Sequence, residues 1–279
     1  MNAEELLKQY AAGKRDFCEA QLGEVNLSNQ DLSGANFRRA DLSQANLQGA
    51  KLIGVNFRET ILIGADLAQT NLTLANLIRA DLTDANLQGS NLTAAGMRSV
   101  NLLRTNLSQA NLREAILNEA NFDTANLRQA DLSDASLGRA RMSGVDLTGA
   151  ILENANLTST LLNGAVLEGA NLIGVLLSGA MLEGADLRDV DLSRAKLSGC
   201  SLVNATLSRA NLRGANLSWS SLRGANLQGA TLYRAKLHWS NLSSAILTEA
   251  VLINAKLDYT NLRNADLTGA ILPDGMTYD

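Results

Sequence analysis

One constraint outranks every other in this sequence: from Phe17 to Leu272 each fifth residue is Leu, Phe or Met, and no insertion or deletion breaks the frame. That interval holds 52 centres, of which 46 are Leu, four are Phe (Phe17, Phe37, Phe57, Phe122) and two are Met (Met97, Met142). Two residues before each centre sits a small residue, Ala at 35 of the 52, and only Arg15 and Gln30 depart from that in size. The residue directly before the centre is Asn or Asp at 30 of the 52. A period of five fits neither the 3.6 of a helix nor the 2.0 of a long strand. Residues two apart on an extended backbone do share a face, so each unit reads as a very short strand with its small residue and its Leu pointing inward. The other three residues, rich in Gly, Ser, Asn and Asp, turn a corner. A chain that turns many equivalent corners in one direction coils and stacks on itself.

The length of one coil is also legible. When residues 201–220, 221–240 and 241–260 are laid under one another, Trp219, Trp239 and Tyr259 align, as do Ser220, Ser240 and Thr260, and Lys236 with Lys256. Phe17, Phe37 and Phe57 are likewise twenty apart. Four units therefore make a coil of twenty residues, and 52 units make 13 coils. At a strand spacing of roughly 4.8 Å these stack into a rod on the order of 60 Å long.

This Ala-(Asn/Asp)-Leu-X-X repeat resembles the pentapeptide-repeat family over nearly the whole chain. The resemblance implies an all-β fold, a right-handed quadrilateral parallel β-helix. The expected organisation is an N-terminal capping helix over 1–14, the β-helix over 15–274 and a short tail over 275–279. Within 1–14, Asn2 is placed to cap a helix over 3–12 with Glu5 three residues later, and Gly13 stops it. Such a helix lies over the open end of the first coil. Its acidic start and lack of an apolar stretch argue against a targeting segment, so a cytoplasmic protein is expected. The Pro-Asp-Gly of Pro273–Gly275 reads as a turn, leaving the last coil either covered by a few residues or free to pair with another chain.

Composition excludes more than it selects. Aromatic residues are only 4% of the chain, so Leu and Ala fill the core, and the single proline, Pro273, fits a backbone that must donate its hydrogen bonds throughout. A net charge of −4 is too small to argue for a nucleic-acid binder. Charge is uneven, however: residues 105–190 carry 5 basic and 11 acidic side chains, residues 191–272 carry 9 basic and 4 acidic, and residues 14–104 carry 9 of each. The column Glu19, Arg39, Glu59, Arg79 alternates in sign and reads as a self-neutralising surface. Residues 161–182 are apolar, but Asn163, Glu168 and Asn171 interrupt them and argue against a membrane span. There Leu161, Val166, Leu176 and Met181 occupy the outward site usually held by Asn or Asp, which reads as scattered surface apolar residues.

No catalytic or metal constellation emerges, and neither enzyme activity nor a cofactor is expected. His238 and Asp258 share a column, yet no nucleophile is distinguished beside them. Cys18 and Cys200 are too distant in register to pair, and both read as structural. The outstanding surface carries Lys196, Lys236, Lys256, His238, Trp219, Trp239 and Tyr259, a set typical of protein-binding anchors. Its competing reading is an aromatic ladder that satisfies itself. We therefore expect a protein partner reached through Trp219, Trp239, Tyr259, His238, Lys236 and Lys256, no direct nucleic-acid or membrane binding, and a monomer or weak end-to-end dimer.

The termini, Tyr10-Ala-Ala-Gly-Lys-Arg-Asp-Phe17 and Pro273-Asp-Gly275, look like those of cyanobacterial pentapeptide-repeat proteins, among them proteins of heterocyst differentiation. That resemblance implies a regulatory role in cell differentiation. Other members of the family imply the alternative, a DNA-mimicking inhibitor or protector of DNA gyrase or topoisomerase. Those inhibitors resemble acidic rods with projecting loops and a C-terminal dimerising helix, which this sequence lacks.

Overall fold

Ala215-Asn216-Leu217-Ser218-Trp219 shows how one pentapeptide is built, because every backbone N–H in it has a named partner. Ala215 N donates to Leu212 O at 3.0 Å and closes the preceding corner; Asn216 N reaches back one coil to Ala195 O at 2.9 Å. Leu217 N and Trp219 N reach forward one coil, to Lys236 O at 2.7 Å and His238 O at 2.9 Å. The N–H left over, on Ser218, donates to the side-chain Oδ1 of Asn216 at 3.2 Å. This last bond explains the preference for Asn or Asp before each centre: the side chain completes the turn that the backbone alone leaves unsatisfied. Met181 has no such oxygen, and the corresponding N–H of Glu183 finds Asn163 Oδ1 at 3.1 Å instead.

The computed structural model describes residues 1–278. They fall into two compact units, Met1–Arg141 and Met142–Asp279. Within each unit the pairing is parallel with a register of twenty residues, as in Asp16↔Asn36↔Asn56 in the first and Leu161↔Met181↔Ser201 in the second. Four such pairings per turn of chain make each unit a four-sided stack of coils, a parallel β-helix. Centres and the small residues before them point inward: Leu42, Ala45, Leu47, Leu147, Ala215 and Leu217 are all fully buried. Each buried Leu contributes about 1.5–3 kcal/mol relative to exposure.

The first unit opens with helix α1, Ala3–Ala11. Asn2 caps it by accepting Glu5 N at 2.9 Å, as the sequence predicts. Leu6 is fully buried, and Tyr10 Oη donates to Ser33 O at 2.9 Å, so the helix is pinned to the first coil. Phe17, Leu22, Leu27 and Leu32 beneath it are at most 3% exposed. Arg15, too large for its inward position, turns out instead: its guanidinium lies 3.8 Å from the centre of the Tyr10 ring. Phe17, Phe37 and Phe57 stack along one inner wall with ring centres 5.5 and 5.6 Å apart. Side-chain ladders run outside, with Asn56 Nδ2 donating to Asn36 Oδ1 and Asn36 Nδ2 to Asp16 Oδ1, both at 2.9 Å.

The second unit ends differently. Leu257, Leu262 and Leu267 are only half-buried in its last coil. Its final residues fold back as a hairpin, with Ile271 pairing antiparallel with Thr277 and Leu272 N donating to Met276 O at 2.7 Å. The Pro-Asp-Gly turn is present, with Gly275 at φ +87°. Of the two outcomes expected for the last coil, cover by the closing residues is therefore partial, confined to the side that carries Leu272.

Candidate interaction surface

Trp219, Trp239 and Tyr259 each stand two residues after a centre, at the corner between two faces of the second unit. Their backbones are left-handed, with φ of 64°, 58° and 57°. Glycine permits this corner but is not required there. Glu19, Arg39, Leu74 and the three aromatics adopt the same left-handed conformation as Gly199. The forward hydrogen bond from the corner N–H and the turn bond that follows it hold these residues there, against an intrinsic cost of about 1–2 kcal/mol for a residue with a Cβ.

Coil stacking then aligns the rings. Trp219 and Trp239 lie 5.3 Å apart at 6°, and Trp239 and Tyr259 lie 4.1 Å apart at 12°. The rings remain wet at their edges, with exposures of 65%, 50% and 74% in chain order. Beside them, His238 Nδ1 lies 2.9 Å from Asp258 Oδ2. Lys196, Lys236 and Lys256 share one outward column and are exposed. Among the described residues no carboxylate pairs with them. The structure thus brings all six predicted site residues onto one face and its bounding corner.

Other groups were less legible. Arg213 and Arg234 flank the ring of Tyr233, with guanidinium carbons 4.6 and 5.1 Å from its centre. The only signal for this cluster is the twenty-residue interval between Arg213 and Tyr233. Met181 is 48% exposed and pairs with half-buried Leu161 in the next coil. Both cysteines are free: Cys18 is exposed, and Cys200 is buried with its thiol donating to Leu177 O at 2.8 Å. Burial pushes the Cys200 thiol up to about 12, which leaves it protonated and inert. Among the described residues no pocket opens, no three His, Cys, Asp or Glu side chains gather to hold a metal, and no helix is long and apolar enough to cross a membrane.

Comparison with known proteins agrees with the repeat. The family model for pentapeptide repeats matches in eight copies, at residues 20–59, 60–98, 90–129, 125–164, 160–199, 200–238, 210–248 and 235–272. HetL, a pentapeptide repeat protein involved in heterocyst differentiation regulation from the cyanobacterium Nostoc sp. strain PCC 7120, is 34% identical, with all of both chains covered and a TM-score of 0.34. A pentapeptide repeat protein from the Arabidopsis thaliana thylakoid lumen is 30% identical over 39% of this chain and 70% of its own, with a TM-score of 0.29. QnrB1, a plasmid-mediated fluoroquinolone resistance protein, is 17% identical over 67% of this chain and 88% of its own, with a TM-score of 0.42. No match is found among curated proteins. On the repeat matched along most of its length and on the full-length identity to HetL, the chain belongs to the pentapeptide-repeat family.

Proposed function

We propose that this protein is a non-enzymatic interaction scaffold of the cytoplasm that docks a protein partner on the face carrying Trp219, Trp239, Tyr259, His238, Lys236 and Lys256. The observation that carries the reading is the corner ladder itself. Three large aromatic residues occupy left-handed corners and gain nothing from the Leu and Ala core. Half or more of each stays exposed, the condition of an anchor awaiting a partner. Unpaired lysines beside them add attraction for acidic groups. Likeness to HetL, a protein involved in heterocyst differentiation regulation, supports a role in regulating cell differentiation. The proposed architecture is the family's right-handed β-helix over 15–274 with about 13 coils, capped by 1–14 and closed by 275–279, acting as a monomer or weak end-to-end dimer.

The test is capture of a partner from a lysate of a filamentous cyanobacterium, by the parent and by Trp239→Gly. Retention by the parent and loss by the variant is expected; equal retention overturns the assignment to this face. The competing reading, a DNA-mimicking inhibitor or protector of DNA gyrase or topoisomerase, is favoured by the 11 acidic against 5 basic residues of 105–190. Gyrase supercoiling measured with and without the protein separates the two.

A further inference from the structure

The aromatic ladder is open at both ends: Tyr259, 74% exposed, stacks like Trp219 on Trp239 alone among the described residues. Trp239 is covered on both ring faces, by Trp219 and by Tyr259, whereas Trp219 is covered only by Trp239. The other face of Trp219 looks along the corner column to Gly199 and then Gly179, at φ +70° and +69°. Beyond Gly199 and its chain neighbours nothing lies within 4 Å of where its Cβ would stand, and at Gly179 the nearest such group is the Ser159 hydroxyl at 3.5 Å. At a coil spacing of about 4.8 Å, two bare corners leave a shallow, open-sided slot roughly 10 Å long beside the ring. The outward positions before this corner are Leu176 and Lys196, and those after it are Met181 and Ser201. Leu176 and Met181 thus stand two coils from Trp219, at the far end of the bare corners, and one π-face of Trp219 is uncovered.

The surrounding charge selects what enters. Arg194, Lys196, Arg234, Lys236 and Lys256 project from this face and its far corner; of the nearby carboxylates among the described residues, Asp258 is engaged with His238 and Glu183 accepts the Ser201 hydroxyl at 2.9 Å. A stack of successive bases needs successive open ring faces, and the two open faces of this ladder lie at opposite ends with Trp239 closed between them. Leu176 and Met181 beside the slot suit a hydrocarbon or aromatic group better than a phosphate.

Resting on the docking reading above, we propose that the uncovered face of Trp219 receives one aromatic side chain from an acidic peptide segment of the partner, whose carboxylates pair with Lys196 and Lys236. The aromatic ring extends the ladder by one step, and the carboxylates neutralise lysines that have no ion pair among the described residues.

Trp219 and Trp239 are the only tryptophans of the chain, so their emission reports the slot directly. The full-length protein is titrated with a decapeptide of Glu and Asp carrying one central Phe. A saturable blue shift is expected, weakened by salt and at least tenfold weaker when Ala replaces the Phe. Gly199→Phe, which fills the slot with the protein's own ring, is expected to weaken binding tenfold or more while its far-UV spectrum stays that of the parent and its melt, lowered by the left-handed corner and raised by stacking on Trp219, moves little. Should that variant misfold, Trp219→Ser removes the receiving face instead, and peptide binding is followed from Trp239; Ser already occupies the same left-handed corner at Ser99, Ser159 and Ser244. Equal binding of the Ala peptide, tighter binding of a single-stranded oligonucleotide of equal charge, a shift that follows protein concentration alone, or undiminished binding by Gly199→Phe and Trp219→Ser each overturns the proposal. Partner capture that survives Gly199→Phe but is lost in Trp239→Gly overturns the slot and leaves the broader docking reading standing.

Discussion

Replacing Trp239 by Gly separates a ladder kept for docking from one kept for stability. The substitution removes both stacking contacts, at 5.3 and 4.1 Å, each worth about 0.5–1.5 kcal/mol beyond area burial. It also relieves the left-handed backbone at φ 58°, which costs a residue with a Cβ about 1–2 kcal/mol and costs Gly little. Because the ring is already 50% exposed, the two effects nearly offset, and stability is expected to change by no more than about 2 kcal/mol. Leu237→Ala, two residues away, is the internal standard: that side chain is fully buried, and its truncation is expected to cost about 2–5 kcal/mol. Denaturant unfolding followed by far-UV circular dichroism compares the two, and the emission of the remaining Trp219 in the Gly variant is expected to move to the red. If Trp239→Gly unfolds as readily as Leu237→Ala, the rings are structural and the argument for a docking face fails.

Deleting residues 1–13 removes Leu6 and the Tyr10–Ser33 bond from over the first coil. Association or aggregation by light scattering is expected, because an uncovered sheet edge templates pairing; a monomeric, equally stable truncation refutes the capping role. Acid sensitivity is expected from the carboxylates that close the turns. Ser43 donates its hydroxyl and its backbone N–H to Asp41 and holds that carboxyl below the usual range. A depressed folded-state pKa contributes stability above the unfolded value of about 3.9, and that contribution is lost as pH falls through the folded value. Asp41→Asn keeps the accepting oxygen and removes the titration, so its melting temperature is expected to fall less than the parent's below about pH 4. Parallel pH profiles refute the assignment.

The core was the most legible part of the fold, because the sequence spells it in only two sizes. Leu at the centre and Ala two before it leave no alternative inward set, and the Phe17, Phe37 and Phe57 stack was readable from spacing alone. Asn2 with Glu5 marked the start of α1 by a local rule that needs no tertiary knowledge. The left-handed corners were not legible in the same way. Glu, Arg, Gln, Trp and Tyr carry no left-handed preference of their own, and coil-to-coil hydrogen bonds impose the conformation whatever stands there. Arg15 was read as a misfit at an inward site, but a ring to stack on lay five residues back, at Tyr10. The antiparallel return of Thr277 has no periodic signature at all, since it breaks the pattern that organised everything before it.

A coil of this kind leaves the sequence little freedom, and that narrows where function can reside. Positions that fill the core are held to Leu and Ala, and the position before the centre is drawn to Asn or Asp by the turn it completes. The corner and the residue before it remain free, and most corner columns cancel their own chemistry. Arg39 lies 2.8 Å from Glu59 and 3.7 Å from Glu19, while Arg104 grips Asp84 through two hydrogen bonds of 2.7 and 2.6 Å. Arg209 grips Asp189 with the same two distances. Such exposed pairs contribute little to stability, but they engage the charges that form them. The aromatic corner cancels only inside itself: Trp239 is covered, while one face each of Trp219 and Tyr259 and the neighbouring lysines are not. Binding energy comes from groups whose partners are missing, and at the aromatic corner uncovered rings and lysines without an ion pair lie side by side.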